Sequence, residues 1–454
     1  MKTGVTDMTE GSPVRHLILF AIPALIGNIF QQIYNLADSI IVGRLIGPEA
    51  LAAVGSTASV TFLFFALCNG IGGGGGIVVS QYFGARDDDN VRNCIVNTGF
   101  IMLLVPVFFG SIGYITAPQL LRLLSTPEGI LADAVSYIRV MCISLFFVSI
   151  YNYLSSMLRA LGDSRSPLYF LILSTILNVG LDFVFVYYLG MGIRGAAVAT
   201  AIAQCAAAVA CGIYAHYRNP YFRFRRSDFS ISGKMVFRIV RLGVPLSLQF
   251  GLIAISSMAL QRVVNSFGTV VVAAFTATSR IEQFIHQPYM TLGASLSTYC
   301  GQNFGAKKND RVLAGYRRGL LLMTIITAVM VLVMQTLGGA IAGIFVTDAE
   351  IRDLGAAGLR ITSLFYITLG VIYVVRGLLT GVGDAFFALF NGIVEVIGRF
   401  TVPVLMTSFL GFGAAGIWWS SGIVWMISGV TAWLRYFIHF RGTIMHQNTG
   451  EERD

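Results

Sequence analysis

Gln81-Tyr82-Phe83-Gly84-Ala85-Arg86 recurs as Gln302-Asn303-Phe304-Gly305-Ala306-Lys307, 221 residues further along. The same offset carries Gly47 onto Gly268, Ala52-Ala53 onto Ala273-Ala274, Thr126 onto Thr347 and Arg139 onto Arg360. It also carries Gly162-Asp163 onto Gly383-Asp384 and Leu189-Gly190 onto Leu410-Gly411, with no gap between them. In a chain with 50 glycines, single glycine matches would carry little weight. The Gln-x-Phe-Gly-Ala block does not arise that way. The chain holds one large unit twice, which implies two halves of like fold.

Hydrophobic residues make up 56% of the chain and charged residues 12%, about half the charged share of a soluble protein. Such a composition implies lipid as the solvent. A helix needs roughly 20 apolar residues to cross a hydrocarbon core. Six stretches per repeat satisfy that, at 17–42, 52–79, 94–116, 132–157, 167–189 and 194–216, then 237–264, 271–300, 313–336, 353–379, 386–409 and 414–439. Runs such as Ile101–Phe109 and Leu320–Val333 are too long and unbroken for the alternating strands of a membrane barrel. The expected fold is all-α and integral to the membrane, with twelve transmembrane helices in two six-helix lobes. Its parts are a tail (1–16), an N-lobe (17–216), a linker (217–236), a C-lobe (237–440) and a tail (441–454). A duplicated unit in so oily a chain points to two halves around a shared transport cavity.

The net charge of +9 is a matter of topology. When the loops are assigned alternately to two sides, the N-terminal side collects 22 Lys and Arg and the other only Arg44, Arg122, Arg194 and Arg352. That imbalance places both termini in the cytoplasm. The basic, aromatic strip Phe222-Arg223-Phe224-Arg225-Arg226 reads as a linker lying on anionic headgroups rather than an RNA patch. No nucleic-acid partner is expected. No cleavable signal is expected before the first span, because the first apolar stretch is full-length and leads straight into the repeat. The six cysteines are scattered through apolar segments without a CxxC pair, so they read as packing residues. Gly70-Ile71-Gly72-Gly73-Gly74-Gly75-Gly76 lacks the Gly-Lys-Ser/Thr ending of a phosphate cradle and lies inside an apolar stretch. It implies close helix contact and a helix able to bend.

Ionisable groups at membrane depth cost about 3 kcal/mol or more each, so they carry the functional reading. Gln31, Tyr34 or Asn35, and Asp38 fall along one face of the first helix, and Asn178 and Asp182 along one face of the fifth. If both acids turn inward, each sits in low dielectric beside a like charge, an arrangement that favours binding a proton. With more oxygens the same arrangement suits Na+. The plainer alternative makes Asp38 a cap at its helix end near the surface. In the second half, Glu282 and His286 are four apart, with Arg280 just before them, and Glu395 and Arg399 form a natural intrahelical pair. Ala259 and Pro403 stand where the repeat would place Asp38 and Asp182, so the halves diverged in chemistry. Pro23 and Pro245, at nearly matching positions, permit kinks.

Asn35-Leu36-Ala37-Asp38-Ser39-Ile40-Ile41-Val42-Gly43, followed by Gly47-Pro48-Glu49-Ala50-Leu51-Ala52-Ala53-Val54-Gly55, resembles the opening of the multidrug and toxic compound extrusion (MATE) family. So do Gln81–Ala85, Arg159-Ala160-Leu161-Gly162-Asp163 and Asn178-Val179-Gly180-Leu181-Asp182 with Gly190-Met191-Gly192. The likeness covers nearly the whole chain and is nearest the prokaryotic branch with an acidic first lobe. It implies a V-shaped pair of lobes that exports organic cations and other amphipathic compounds in exchange for H+ or Na+. Carried over by residue, the ion site falls on Tyr34, Asp38, Asn178, Asp182 and Thr200, with Na+, if it is the ion, at Asp38, Asn178, Asp182 and Thr200. Glu282 matches an acidic position found in part of the family, and with Arg280 and Gln31 it forms the further coupling or substrate candidates. Phe64, Phe65, Met157 and Phe250 are candidates for tolerant cavity walls. The resemblance implies no cofactor beyond the coupling ion. It also implies a monomer in the bacterial cytoplasmic membrane, whose partners are the lipid bilayer and small amphipathic or cationic substrates.

Two rivals remain at this level. A lipid or lipid-linked oligosaccharide flippase on a related scaffold would need more inward cations than Arg139, Arg262, Arg280, Arg360 and Arg399. A membrane prenyltransferase holding a metal diphosphate at Asp87-Asp88-Asp89 would need a second acidic cluster, and the repeat supplies only Asn309-Asp310.

Overall fold

The computed structural model describes residues 4–124 and 126–440; the expected tail at 441–454 lies outside the described residues, as does the start of the N-terminal tail. Every regular element among the described residues is helical. The first repeat holds α1 (Pro13–Ile41), α2 (Pro48–Gly84), α3 (Asp88–Leu123), α4 (Glu128–Ala160), α5 (Arg165–Asp182) and α6 (Gly192–Arg218). The second holds α7 (Gly233–Asn265), α8 (Thr269–Gly305), α9 (Asn309–Gly343), α10 (Ala349–Ser363), α11 (Tyr366–Val382), α12 (Ala385–Val404) and α13 (Ala415–Arg435). Short π-helical segments prolong α1, α5, α12 and α13.

Local chemistry sets the helix ends. Pro48 opens α2 at a position whose N–H would go unused. Asp87, Asp348 and Asp384 cap α3, α10 and α12 by accepting from the backbone N–H of Asn90 (3.2 Å), Ile351 (3.1 Å) and Phe387 (3.2 Å). Between the ends the helices are oily outward as well as inward. Leu104, Val107, Phe108 and Ile115 of α3 are all exposed, a face that only lipid can cover.

Among the described residues, ten helices are long and apolar enough to cross a membrane, and α10 with α11 makes an eleventh span bent by 52°. The difference from the expected twelve is α8. It is 37 residues long, but its middle carries Arg280, Glu282, Gln283, His286 and Gln287, which lower its mean hydropathy. The bend between α10 and α11 is a departure from the repeat, because α4 runs unbroken through the matching place.

Elsewhere the backbone repeats faithfully. Among the described residues, Arg86 (φ 58°) and Lys307 (φ 57°) are the non-glycine residues of positive φ, and they are 221 apart. Gly162 and Gly383, Gly190 and Gly411, and Gly192 and Gly413 share the left-handed region at the same offset.

The chain divides into two compact units. One gathers 22–248 with the stretch up to Met8; the other gathers Thr9–Ala21 with Gln249 onward. The changes of unit within α1 and α7 fall beside Pro23 and shortly after Pro245. Within the first unit, the glycine run of α2 meets α7. A Cβ on Gly74 would lie 2.5 Å from the backbone nitrogen of Gly243, and Gly70 lies against Ser247. The run therefore serves close backbone approach, and α2 continues through it as a single helix.

Candidate ion-coupling site

Two carboxylates of the first unit meet where α-helix gives way to wider π turns. Asp38 lies three residues before the end of α1, which continues as the π segment Val42–Ile46. Asp182 is the last residue of α5 before the π segment Phe183–Tyr188. Such insertions recur at functional sites because they re-aim side chains without ending the helix. Asp38 accordingly does not cap a helix terminus; it faces Asp182 within hydrogen-bonding reach, carboxyl to carboxyl.

Neutral groups complete the cluster. Asp182 and Asn178 are fully buried and Thr200 is 7% exposed. With its amide nitrogen 3.1 Å from Asp182 Oδ2 and its oxygen 3.2 Å from Thr200 Oγ1, Asn178 satisfies both neighbours. The opposite orientation would set the amide oxygen against a carboxylate. Thr200 Oγ1 lies 3.2 Å from Tyr34 Oη. A chain of hydrogen bonds thus runs from Tyr34 through Thr200 and Asn178 to Asp182. Asp38 Oδ1 and Asp182 Oδ1 are buried without a hydrogen-bond partner. Two carboxyl groups in contact require a shared proton or a cation, and those unpartnered oxygens are open to either.

Tyr137 of α4, 7% exposed, lies within electrostatic range of Tyr34, Asp38 and Asp182. Sequence reasoning passed over it. A tyrosine in a mostly apolar helix gives no spacing signal of its own, although it is a polar tip at membrane depth. Gln31 stands one turn away from Asn35, at 3.5 Å, and does not join the carboxylates.

The second unit has a different polar group. Glu395 and Arg399 of α12 form the intrahelical pair that their spacing implied, at 3.1 Å and largely buried. Glu282 of α8 reaches towards Thr362 of α10, and Arg399 is the charge that acts on it. Arg280 is exposed. The ring of His286 lies edge-on to those of Tyr373 and Trp425, at 6.2 and 5.5 Å between centroids. Arg376 of α11 donates to Asn391 Oδ1 at 2.7 Å. No group of three or more His, Cys, Asp or Glu suited to a metal occurs among the described residues.

A twice-repeated helical membrane protein with an acid pair buried in its first half belongs to the class of two-lobed transporters. The family follows from comparison. The MatE family model matches at 23–184 and again at 245–405, once per repeat, so the chain belongs to the MATE family of multidrug efflux transporters. It is 31% identical over 437 residues to "Probable multidrug resistance protein YpnP" of Bacillus subtilis, covering 95% of this chain and 96% of that one. It is 24% identical to "Multidrug export protein MepA" of Staphylococcus aureus, covering 94% and 95%. Among solved structures, a MATE transporter in the bent conformation aligns with TM-score 0.92 at 25% identity over 99% of both chains.

Proposed function

We propose that the chain is a secondary antiporter of the bacterial cytoplasmic membrane, exporting amphipathic or cationic compounds in exchange for a small cation bound at Asp38 and Asp182. The observation that carries this is the pair of facing carboxyl groups with unpartnered buried oxygens. Unlike the Glu395–Arg399 pair, they have no basic partner among the described residues. The charge that stabilises them must arrive and leave, which is what coupling to an ion requires.

We take a proton as the ion, because two facing carboxyl groups can hold one between them without further ligands. In either amide orientation Asn178 keeps a hydrogen bond to Thr200. Tyr34, Thr200 and Asn178 would act as positioning residues, fixing the Asp182 carboxyl so that loading alters its contact with Asp38.

Exchange then follows from linkage. A proton that prefers the state facing outward and a substrate that prefers the other each shift the equilibrium against the partner. Neither drives transport unless its affinity differs between the two states.

The test is uptake and efflux in proteoliposomes under imposed H+ or Na+ gradients, comparing the wild type with Asp38→Asn and Asp182→Asn. Loss of gradient-driven movement in both variants, with normal folding, supports the assignment. Unimpaired coupling in both would transfer the site to Glu282. Transport by the purified chain that requires ATP would overturn the secondary-transport reading.

A further inference from the structure

Between α6 and α7 the chain forms a strap whose shape is fixed from beneath. Residues 217–241 hold seven Lys and Arg and a single acid, Asp228. That acid is 7% exposed and turned inward, accepting from the backbone N–H of Arg225 at 2.7 Å. The fully buried Asn97 of α3 donates to Ser230 O at 3.0 Å and accepts from Ser232 N at 3.1 Å. Asn93 adds a second bond to Ser230 O at 3.0 Å, and Tyr221 donates to Asp88 at 2.8 Å. Asp88 at the start of α3 is thereby engaged, and these bonds tie the strap to α3.

Its outer side is chemically uniform. Arg223, Arg225, Arg226 and Lys234 are exposed, and none has an acidic partner within 4 Å among the described residues. Among them stand Phe229, 56% exposed, and Ile231, 66% exposed. The strap joins the end of one candidate membrane span to the start of the next, which sets it outside the apolar spans.

We propose that this strap is a docking surface for anionic phospholipid headgroups, with Arg223, Arg225, Arg226 and Lys234 meeting the phosphates while Phe229 and Ile231 enter the acyl boundary. Cations without an acidic partner, beside exposed apolar side chains, suit a negatively charged leaflet, where charge and apolar burial add; Arg223 also donates to Tyr217 O at 3.0 Å. Single-stranded RNA fits less well. It needs open aromatic faces for stacking, whereas Phe222 is buried and Phe224 packs against Phe222 and Phe229 at 6.1 and 5.7 Å. Because the strap is anchored to α3 through Asn97, a bound headgroup is joined mechanically to the first unit.

The test uses the full-length protein extracted from vesicles of equal phosphatidylglycerol and phosphatidylcholine, with the retained lipid quantified. Each cation near an anionic surface contributes about a fivefold preference. Wild type is expected to retain phosphatidylglycerol selectively. The variant carrying Arg223→Gln, Arg225→Gln, Arg226→Gln and Lys234→Gln should lose at least about tenfold of that preference. Lysine at the three arginine positions should preserve most of it. Wild type alone supplies a second readout, since the preference must weaken as salt rises from about 0.1 to 1 M. An unchanged preference in the glutamine variant, or one indifferent to salt, overturns the proposal. So does tighter retention of a single-stranded RNA oligomer than of phosphatidylglycerol by the wild type. Neither the ion site nor transport enters this measurement, so its failure would leave the antiport reading untouched.

Discussion

The glycine run of α2 offers a sharp test of the packing, because adjacent glycines face different surroundings. A methyl at Gly74 would lie 2.5 Å from Gly243 N, 2.6 Å from Gly243 Cα and 2.9 Å from Ile239 O. All three are backbone atoms of α7, so no rotamer change relieves the clash. To restore ordinary contact, α7 must retreat by roughly 1 Å, which forfeits dispersion along the seam. At Gly73 the nearest atom is the end of the flexible Leu246 side chain, at 3.8 Å. Alanine in a helix gains roughly 0.5–1 kcal/mol over glycine, and forced overpacking costs about 1–3 kcal/mol. Gly73→Ala should therefore be neutral or more stable by up to about 1 kcal/mol. Gly74→Ala should be less stable by about 1–2 kcal/mol, a five- to thirtyfold change in the folding equilibrium. Equilibrium unfolding of the two purified variants in mixed detergent measures the difference. Equal stabilities would show that the α2–α7 contact is not the close backbone seam described above.

Other expectations follow from single contacts. Thr200→Val leaves Tyr34 and Asn178 without their shared hydroxyl; it should cost about 1–3 kcal/mol and reduce gradient-driven transport more than substrate binding, as flux and binding assays would show. Asp163 accepts from Arg165 N at 3.1 Å, Ser166 N at 3.0 Å and Ser166 Oγ at 2.5 Å. Its replacement by alanine should lower the thermal midpoint, while Asp163→Asn, which keeps one acceptor, should lower it less. Removing only Arg399 from the largely buried Glu395–Arg399 pair should destabilise by about 3 kcal/mol, and replacing both with apolar residues should recover most of that in a double-mutant cycle. Tyr137→Phe, at a buried position, should cost no more than about 1–2 kcal/mol yet alter the pH profile of export, since the tyrosine lies within electrostatic range of the acid pair.

How much was legible depended on how far a residue's chemistry departs from its surroundings. Asp38, Asp182, Asn178 and Tyr34 stood out because acids and amides in oily helices have few structural explanations. Thr200 did not, because a helical threonine commonly bonds its own backbone, and only the family resemblance singled it out. The break between α10 and α11 falls at Leu364-Phe365, where neither glycine nor proline marks it. The π segments that follow Asp38 and Asp182 likewise have no compositional sign. The glycine run was legible as a contact surface, since hydrogen is the only side chain that lets two backbones approach so closely.

The claim that Asp38 and Asp182 hold the coupling proton is tested most directly by counting protons. Purified transporter in detergent, free of Na+ and weakly buffered, is mixed with a lipophilic cation such as tetraphenylphosphonium, and the pH change is recorded. Wild type should release protons as the cation binds, and the Asp38→Asn, Asp182→Asn double variant should release none while still binding it. Equal release from the double variant, or binding to wild type with no release, would contradict the account.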